Sequence, residues 1–549
     1  MSPSTRTVAR AIVGCLENEG VEVVFGLPGE ENLHLVDALA DSSIRFITTR
    51  DERGAAFMAD TYGALTGRPG VCLATLGPGA INLMLGIANA QLDAHPLVAI
   101  TAQAGLDRTY KQSHQFVDIV SLFRPITKWG DMVTVGGAAP EMVRKAFKLA
   151  TTEPPGATFL VLPEDVAELQ TDAPVLGVNT PVDPAPDEGQ VHRAAHVLAQ
   201  AEHPVVLAGP GVARDKATAA LVRFSERLHV PVATTFLGKG VFPDDHPHAL
   251  GTIGFMVKDY ANFGFDRADV VMAVGYDLVE YSPARWNPLA DKQIVHVHRT
   301  VAEVDANYTL AVGLQGDIGA TLDAIGEATD THAARSEIVP VRDLVGQELE
   351  RGAADDAFPL APARAVGDIR SVLAHDDIVL CDTGAAKMWM ARLYPTFRPN
   401  TCLISNGLAT MAFSLPGAIA AKLVYPDRKV LAVMGDGAFA MSMAEIETAV
   451  REGTHIVVLI WVDGGYGLIG WKQDIQFGRQ AAVSFTNPDF VTLAQSFGAR
   501  GYAIRAADEL APTLRTALAD DAVSIVACPI DYTENARLIE RLGALTDPI

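Results

Sequence analysis

The chain has 549 residues, 49% of them apolar and 20% charged, which is enough for about three domains of ~100–200 residues, each with a sizeable core. Its 66 acidic and 43 basic residues leave a net charge of −23, which argues against nucleic acid or an anionic membrane as a partner. No segment approaches the ~20 apolar residues needed to span a bilayer, and the N-terminal stretch lacks the apolar run of a signal peptide. Cys15, Cys72, Cys381, Cys402 and Cys528 have no CxxC spacing, so buried, reduced thiols in a cytoplasmic protein are expected.

In chain order, short apolar runs alternate with helical patterns. The first group is "VEVVFGLPG" (21–29), "GVCLATLGPG" (70–79) and "HPLVAITAQ" (95–103). A Pro- and Asp-rich stretch at 171–189 reads as a linker. The second group is "HPVVLAGPG" (203–211), "ADVVMAVGYD" (268–277) and "QIVHVH" (293–298), followed by a charged, Ala-rich break around 326–360. The third is "DIVLCDTG" (377–384), "KVLAVMGDG" (429–437) and "HIVVLIWVD" (455–463). Nearly all these runs end in Gly, Asp or Thr, as parallel α/β units do where strand-end loops build a site. The predicted fold is α/β, with three doubly wound parallel-sheet domains at 1–172, 188–328 and 358–535 and a C-terminal tail at 536–549.

The third group carries the sharpest chemistry. Residues 429–450 predict a buried strand, a tight turn at Gly435-Asp436-Gly437 and an amphipathic helix. Glycines let backbone approach a ligand, and a helix N-terminus favours phosphate. Asp436 alone would repel that phosphate, so a divalent cation between them resolves the conflict. The next strand ends at Asp463, and 463 − 436 = 27 residues, the length of one helix and one strand. Both carboxylates can then face one cation.

"GDG" followed about 27 residues later by a polar metal ligand resembles the thiamine-diphosphate motif of the decarboxylase and acetolactate synthase superfamily. That motif usually ends in Asn-Asn. Val462-Asp463 is instead similar to the catabolic acetolactate synthases. The resemblance implies Mg²⁺ held by Asp436, Asp463 and the carbonyl of Gly465. It also implies cofactor contacts from Gly384, Ala385, Gly435, Gly437, Ala438, Tyr466 and Gly467.

The same resemblance assigns the first domain to the cofactor's pyrimidine, the third to its diphosphate, and a central domain between them. "FITTRDERGAAFMADTYGALTG" (46–67) resembles the family's "RHEQGAAFMADGYAR", which makes Glu52 the catalytic acid on the aminopyrimidine. Asp51 and Arg53 depart from the usual His and Gln. Gly77, Gly79 and Asn82 fall in the pyrimidine loop, and Gly29 and Glu30 in the loop facing the reacting carbon. His114 and Gln115 match the pair that could touch bound intermediates. Met411 should support the cofactor, with the Ala409 carbonyl on its amino group.

The stretches 274–288 and 307–318 resemble catabolic acetolactate synthases and lack the flavin-contacting "GxRFDDR" of the anabolic ones, so FAD is not expected. The reaction implied is decarboxylation of pyruvate and carboligation to a second 2-oxoacid, giving 2-acetolactate, in a dimer or tetramer with the site between subunits. A thiamine-diphosphate decarboxylase or lyase for another 2-oxoacid or aldehyde is the alternative, and a non-catalytic cofactor-binding protein is a third reading. Lys472 either holds an acceptor carboxylate or is a solvated surface residue.

Overall fold

The computed structural model describes residues 5–179, 184–254, 259–330 and 341–535. The tail at 536–549 lies outside the described residues, as do 180–183 of the linker and 331–340 of the second break. Two compact units emerge. One holds 1–181, 407–427 and 442–454, and the other holds 182–406, 428–441 and 455–549.

The first unit is built on a six-stranded sheet, ordered Arg45–Thr48, Val23–Gly26, Gly70–Ala74, Leu97–Gln103, Ala157–Pro163 and Trp129–Met132. Every pairing is parallel. Three of its four inner strands, Gly70–Ala74, Leu97–Gln103 and Ala157–Pro163, are buried along their whole length, which is why they read as continuous apolar runs rather than alternating ones. Helices Val8–Asn18 and Ala139–Thr151 bury Val8, Ile12, Leu16, Val143 and Phe147 in the core they share with Val71, Leu73 and Val98. On helix Glu52–Thr66 the residues Gly54 to Gly63 are buried without a break. Helix Ser414–Val424 packs against it, with the Phe57 and Phe413 rings edge to face at 6.1 Å.

The second unit carries two further six-stranded, all-parallel sheets. The central one runs Ala249–Thr252, Val232–Thr234, Pro204–Ala208, Val270–Val274, Gln293–His298 and Leu310–Gln315. The third runs Cys402–Ile404, Ile378–Cys381, Val430–Gly435, Val457–Val462, Ser524–Pro529 and Arg500–Ala503. Numbered along the chain, the first and third sheets share the order 2-1-3-4-6-5, whereas the central one is 3-2-1-4-5-6. In each, the order reverses beside the first strand, and the loops leaving the carboxyl ends there diverge to leave a crevice.

The single amphipathic helix expected after Gly437 is two helices, Asp436–Ser442 and Glu445–Arg451. The pieces serve different cores: Phe439 packs edge to face on Phe490 in the second unit, while Ile446 and Ala449 are buried in the first. All five cysteines are free and buried. Among the described residues no helix is long and apolar enough to cross a membrane.

A buried cation ties the second unit together. Arg392, on helix Ala385–Leu393, binds both carboxylate oxygens of Glu348 at 2.6 and 2.8 Å and Asp259 at 3.0 Å. Its guanidinium stacks over Tyr260 at 4.9 Å. Removing one partner of a buried pair leaves the others' charge uncompensated. Arg392→Met should therefore lower unfolding stability by about 3–5 kcal/mol, read from the denaturant midpoint.

Candidate functional site

In the second unit, strands Val430–Gly435 and Val457–Val462 run side by side with Gly435 opposite Trp461. The residues that follow them, Asp436 and Asp463, are therefore neighbours. Asp436 is 1% exposed, and a charge so buried needs partners. Its Oδ2 accepts from the Gly464 N–H at 2.8 Å, the Asn487 side-chain amide at 2.7 Å and, more weakly, the Asp463 N–H at 3.3 Å. Its Oδ1 accepts from the Gly437 N–H at 2.8 Å.

Asp463 is treated differently. Burial first, and then the neighbouring charge of Asp436, push its carboxyl up to about 7. Two carboxylates of which one holds a proton near neutral pH are a pair in want of a counter-charge. The donor set fits a hard, oxygen-seeking divalent cation. Among the described residues no three His, Cys, Asp or Glu gather as a metal cluster. The cation would thus rest on two carboxylates plus carbonyl and ligand oxygens, the usual company of Mg²⁺.

The loop after Asp463 is tightly specified. Gly464 has φ 71°, a conformation that favours glycine. The Tyr466 N–H donates to Val483 O, and the Phe485 N–H to Gly464 O, both at 2.9 Å, so 464–466 lies against 483–485. The Tyr466 ring packs on Phe485 at 5.1 Å. A side chain at Gly467 would collide with the Asp463 carboxylate. Lys472 is exposed on helix Gly467–Phe477 and has no ion pair or hydrogen bond among the described residues. Gly384, with φ 146°, caps helix Ala385–Leu393 at the end of the neighbouring strand Ile378–Cys381. In that helix the buried Lys387 donates to Ser405 O and Asn406 Oδ1, each at 2.8 Å.

In the first unit, Glu52 is the first residue of helix Glu52–Thr66, and Asp51 caps it by accepting the Arg53 N–H at 2.8 Å. Asp51 and Arg53, the two departures from the family pattern, also pair through their side chains at 2.8 and 3.0 Å. Glu52 Oε2 accepts from Asn82 at 3.0 Å, and Gly79 leaves the room in which the Glu52 carboxylate lies. Gly77, at φ 45°, presses on the Gln115 carbonyl, and Gly29 on the Thr75 side chain. Thr75 in turn donates to Glu31 at 2.8 Å. Glu30, His114 and the Gln115 side chain are exposed.

Met411 is half-buried in a loop where Ala409 and Ala412 have φ of 54° and 76°. That loop starts at Gly407, whose N–H donates to Asp93 at 2.5 Å. Asp93 belongs to a buried group in which Asn89 donates to both Asp60 and Asp93, and His95 meets Asp60 at 2.6 Å. Sequence reasoning missed Asn487, Lys387, Glu445 and the Asp60–Asp93 group. A Lys inside an apolar helical run was a legible signal for Lys387, whereas nothing local marked Asn487 or Glu445.

Three family models match the chain. They are the N-terminal TPP binding domain of thiamine pyrophosphate enzymes over residues 6–122, the central domain of those enzymes over 191–325, and their C-terminal TPP binding domain over 382–528. The chain is 36% identical over 545 residues to the catabolic acetolactate synthase of Raoultella terrigena, covering 97% of each protein. It is 36% identical over 537 residues to the acetolactate synthase of Bacillus subtilis, covering 96% of this chain and 94% of that one. A probable acetolactate synthase large subunit of Methanocaldococcus jannaschii is 34% identical over 564 residues, covering 98% and 94%. With these matches spanning all three sheets and both carboxylate loops, the chain belongs to the acetolactate synthase family of thiamine pyrophosphate enzymes.

Proposed function

We propose that the chain decarboxylates pyruvate and joins the two-carbon unit to a second 2-oxoacid, giving 2-acetolactate, with thiamine diphosphate as cofactor. The observation that carries this reading is the likeness to acetolactate synthases along 97% of the chain. When bound, thiamine diphosphate supplies the electron sink for decarboxylation. Glu52, held by Asn82, exchanges a proton with the pyrimidine nitrogen as a general acid–base group. Asp436, Asp463 and the Gly465 carbonyl hold Mg²⁺. Gly384, Ala385, Gly435, Gly437, Ala438, Tyr466 and Gly467 line the diphosphate; Gly29, Gly77 and Asn82 line the pyrimidine. Ala409 and Met411 fix the cofactor's conformation. His114, Gln115 and Lys472 face the substrates.

The central sheet supports a flavin-free reading. At its order reversal Gly209 and Gly211 pack against Gly275 with no room for side chains. Asp277 lies beside them, with Arg214 at 3.0 Å and His298 at 3.3 Å. A dinucleotide there would have to displace this ion group. We place the protein in the cytoplasm and the working enzyme in a dimer or tetramer, with Glu52 of one copy and the carboxylate pair of another serving one cofactor. Helix Pro78–Leu92 supports the association: it exposes Ile81, Leu85 and Leu92 by 46%, 39% and 37%, a stripe along one face that a second copy would cover.

Purified protein given pyruvate, thiamine diphosphate and Mg²⁺ should release CO₂ and form acetolactate in equal amounts. CO₂ without acetolactate would overturn the synthase reading and leave a thiamine-diphosphate decarboxylase. Glu52→Gln should reduce turnover by about 10²–10⁴-fold.

The carboxylate pair sets a pH dependence. Asp463 ordinarily titrates near 3.8 but is held near 7, so the folded, cation-free protein binds the extra proton. Its stability therefore falls as pH rises through 7. The cation relieves that repulsion, so the melting-temperature gain from Mg²⁺ plus thiamine diphosphate should be larger at pH 8 than at pH 6. An equal gain at both would contradict the pairing.

Leu85→Asp should shift the protein to monomer by sedimentation and remove activity. An active monomer would sink the shared-site reading.

A further inference from the structure

Glu445 is 1% exposed, and no step above uses it. It begins helix Glu445–Arg451 in the first unit. Its Oε1 accepts the N–H groups of Arg50 at 3.1 Å and Asp51 at 3.0 Å, and its Oε2 accepts the Thr448 hydroxyl at 2.7 Å. Arg50 and Asp51 are the two residues before Glu52, and Asp51 is the cap of the helix that Glu52 opens. Gly54, in the first turn of that helix, has no room for a side chain because the Glu445 carboxylate lies against it.

Burying a carboxyl is costly, and here burial pushes it up to about 7 despite three donors. An apolar residue of the same size would avoid that cost. It would also leave two backbone donors without this acceptor, at the one point where the chain turns into the Glu52 helix. The carboxylate crosses 394 residues of sequence to reach Asp51, so no local turn supplies the same restraint.

We propose that Glu445 is a positioning residue: by holding the Arg50 and Asp51 N–H groups it fixes the entry to helix Glu52–Thr66 and so aims the Glu52 carboxylate. This rests on the reading of Glu52 as the group that exchanges a proton with the cofactor. The part of Glu445 that matters is an acceptor oxygen, which glutamine also has. Methionine keeps the volume and has none.

The test compares Glu445→Met, Glu445→Gln and Glu52→Gln in the full-length enzyme. Hydrogen exchange of the Arg50 and Asp51 amides is measured without cofactor, and kcat and KM for pyruvate with thiamine diphosphate and Mg²⁺. Glu445→Met should speed exchange at those two amides by about tenfold or more and lower kcat by about 10- to 100-fold, with KM changed less than ~3-fold. Glu445→Gln should restore slow exchange and most of kcat.

Wild-type exchange and kcat in Glu445→Met would overturn the proposal. So would a Glu445→Gln enzyme with slow exchange but lost kcat, because the charge or proton of Glu445 would then matter rather than its grip on the loop. If Glu445→Met does not fold, the Glu445→Gln result decides alone. Unchanged turnover in Glu52→Gln would instead sink the role of Glu52. A dead Glu52→Gln beside a normal Glu445→Met would sink only the positioning role.

Discussion

Two carboxylates fixed at the ends of adjacent parallel strands cannot move apart, because sheet pairing sets the spacing. That repulsion between Asp436 and Asp463 organises the loops around it. Asp436 accepts from four donors, three of them on one oxygen. Asp463 holds a proton to near neutrality. The turn at Gly464, the strand-like pairing of 464–466 with 483–485 and the reach of Asn487 all lead to this point. A protein optimised only for stability would put apolar residues here, so the retained repulsion marks the place where binding energy is to be spent.

The first unit meets a different demand, that of presenting the half-buried Glu52 side chain beside Asn82. Its device is steric. Gly29, Gly77 and Gly79 let backbone and side chains approach closely around Glu52 and Asn82. Gln115, Ala409 and Ala412 accept left-handed conformations at a cost of about 1–3 kcal/mol each. The Asp60–Asn89–Asp93–His95 group anchors the start of the 407–412 loop, so the strain at Ala409 and Ala412 lies next to a buried polar framework, whereas Gln115 sits in an exposed turn.

Much of this was legible in the sequence because it is local or periodic. Apolar runs ending in Gly or Asp marked the parallel strands. The interval from Asp436 to Asp463 marked one strand–helix–strand return, and the same residues carried the family resemblance. What was not legible depends on chain segments distant in sequence. Asn487 reaches Asp436 across 51 residues, and Glu445 reaches Asp51 across 394; neither lies in a local pattern that would flag it. The break between Ser442 and Glu445 was missed for a related reason: the apolar periodicity runs straight through it, and only the change of packing partner reveals it.

The shared strand order of the first and third sheets has a further consequence. A crevice at the order reversal is produced by topology, whatever the loop residues are. Each sheet needs only a few side chains to give its crevice a chemical character: an acid and its amide partner in one, a pair of carboxylates in the other. The remaining positions must fill volume and keep the apolar rhythm, which many residues satisfy. Drift can thus accumulate over most of the chain while both crevices stay in place, as expected for a protein that shares about a third of its residues with relatives matched from end to end.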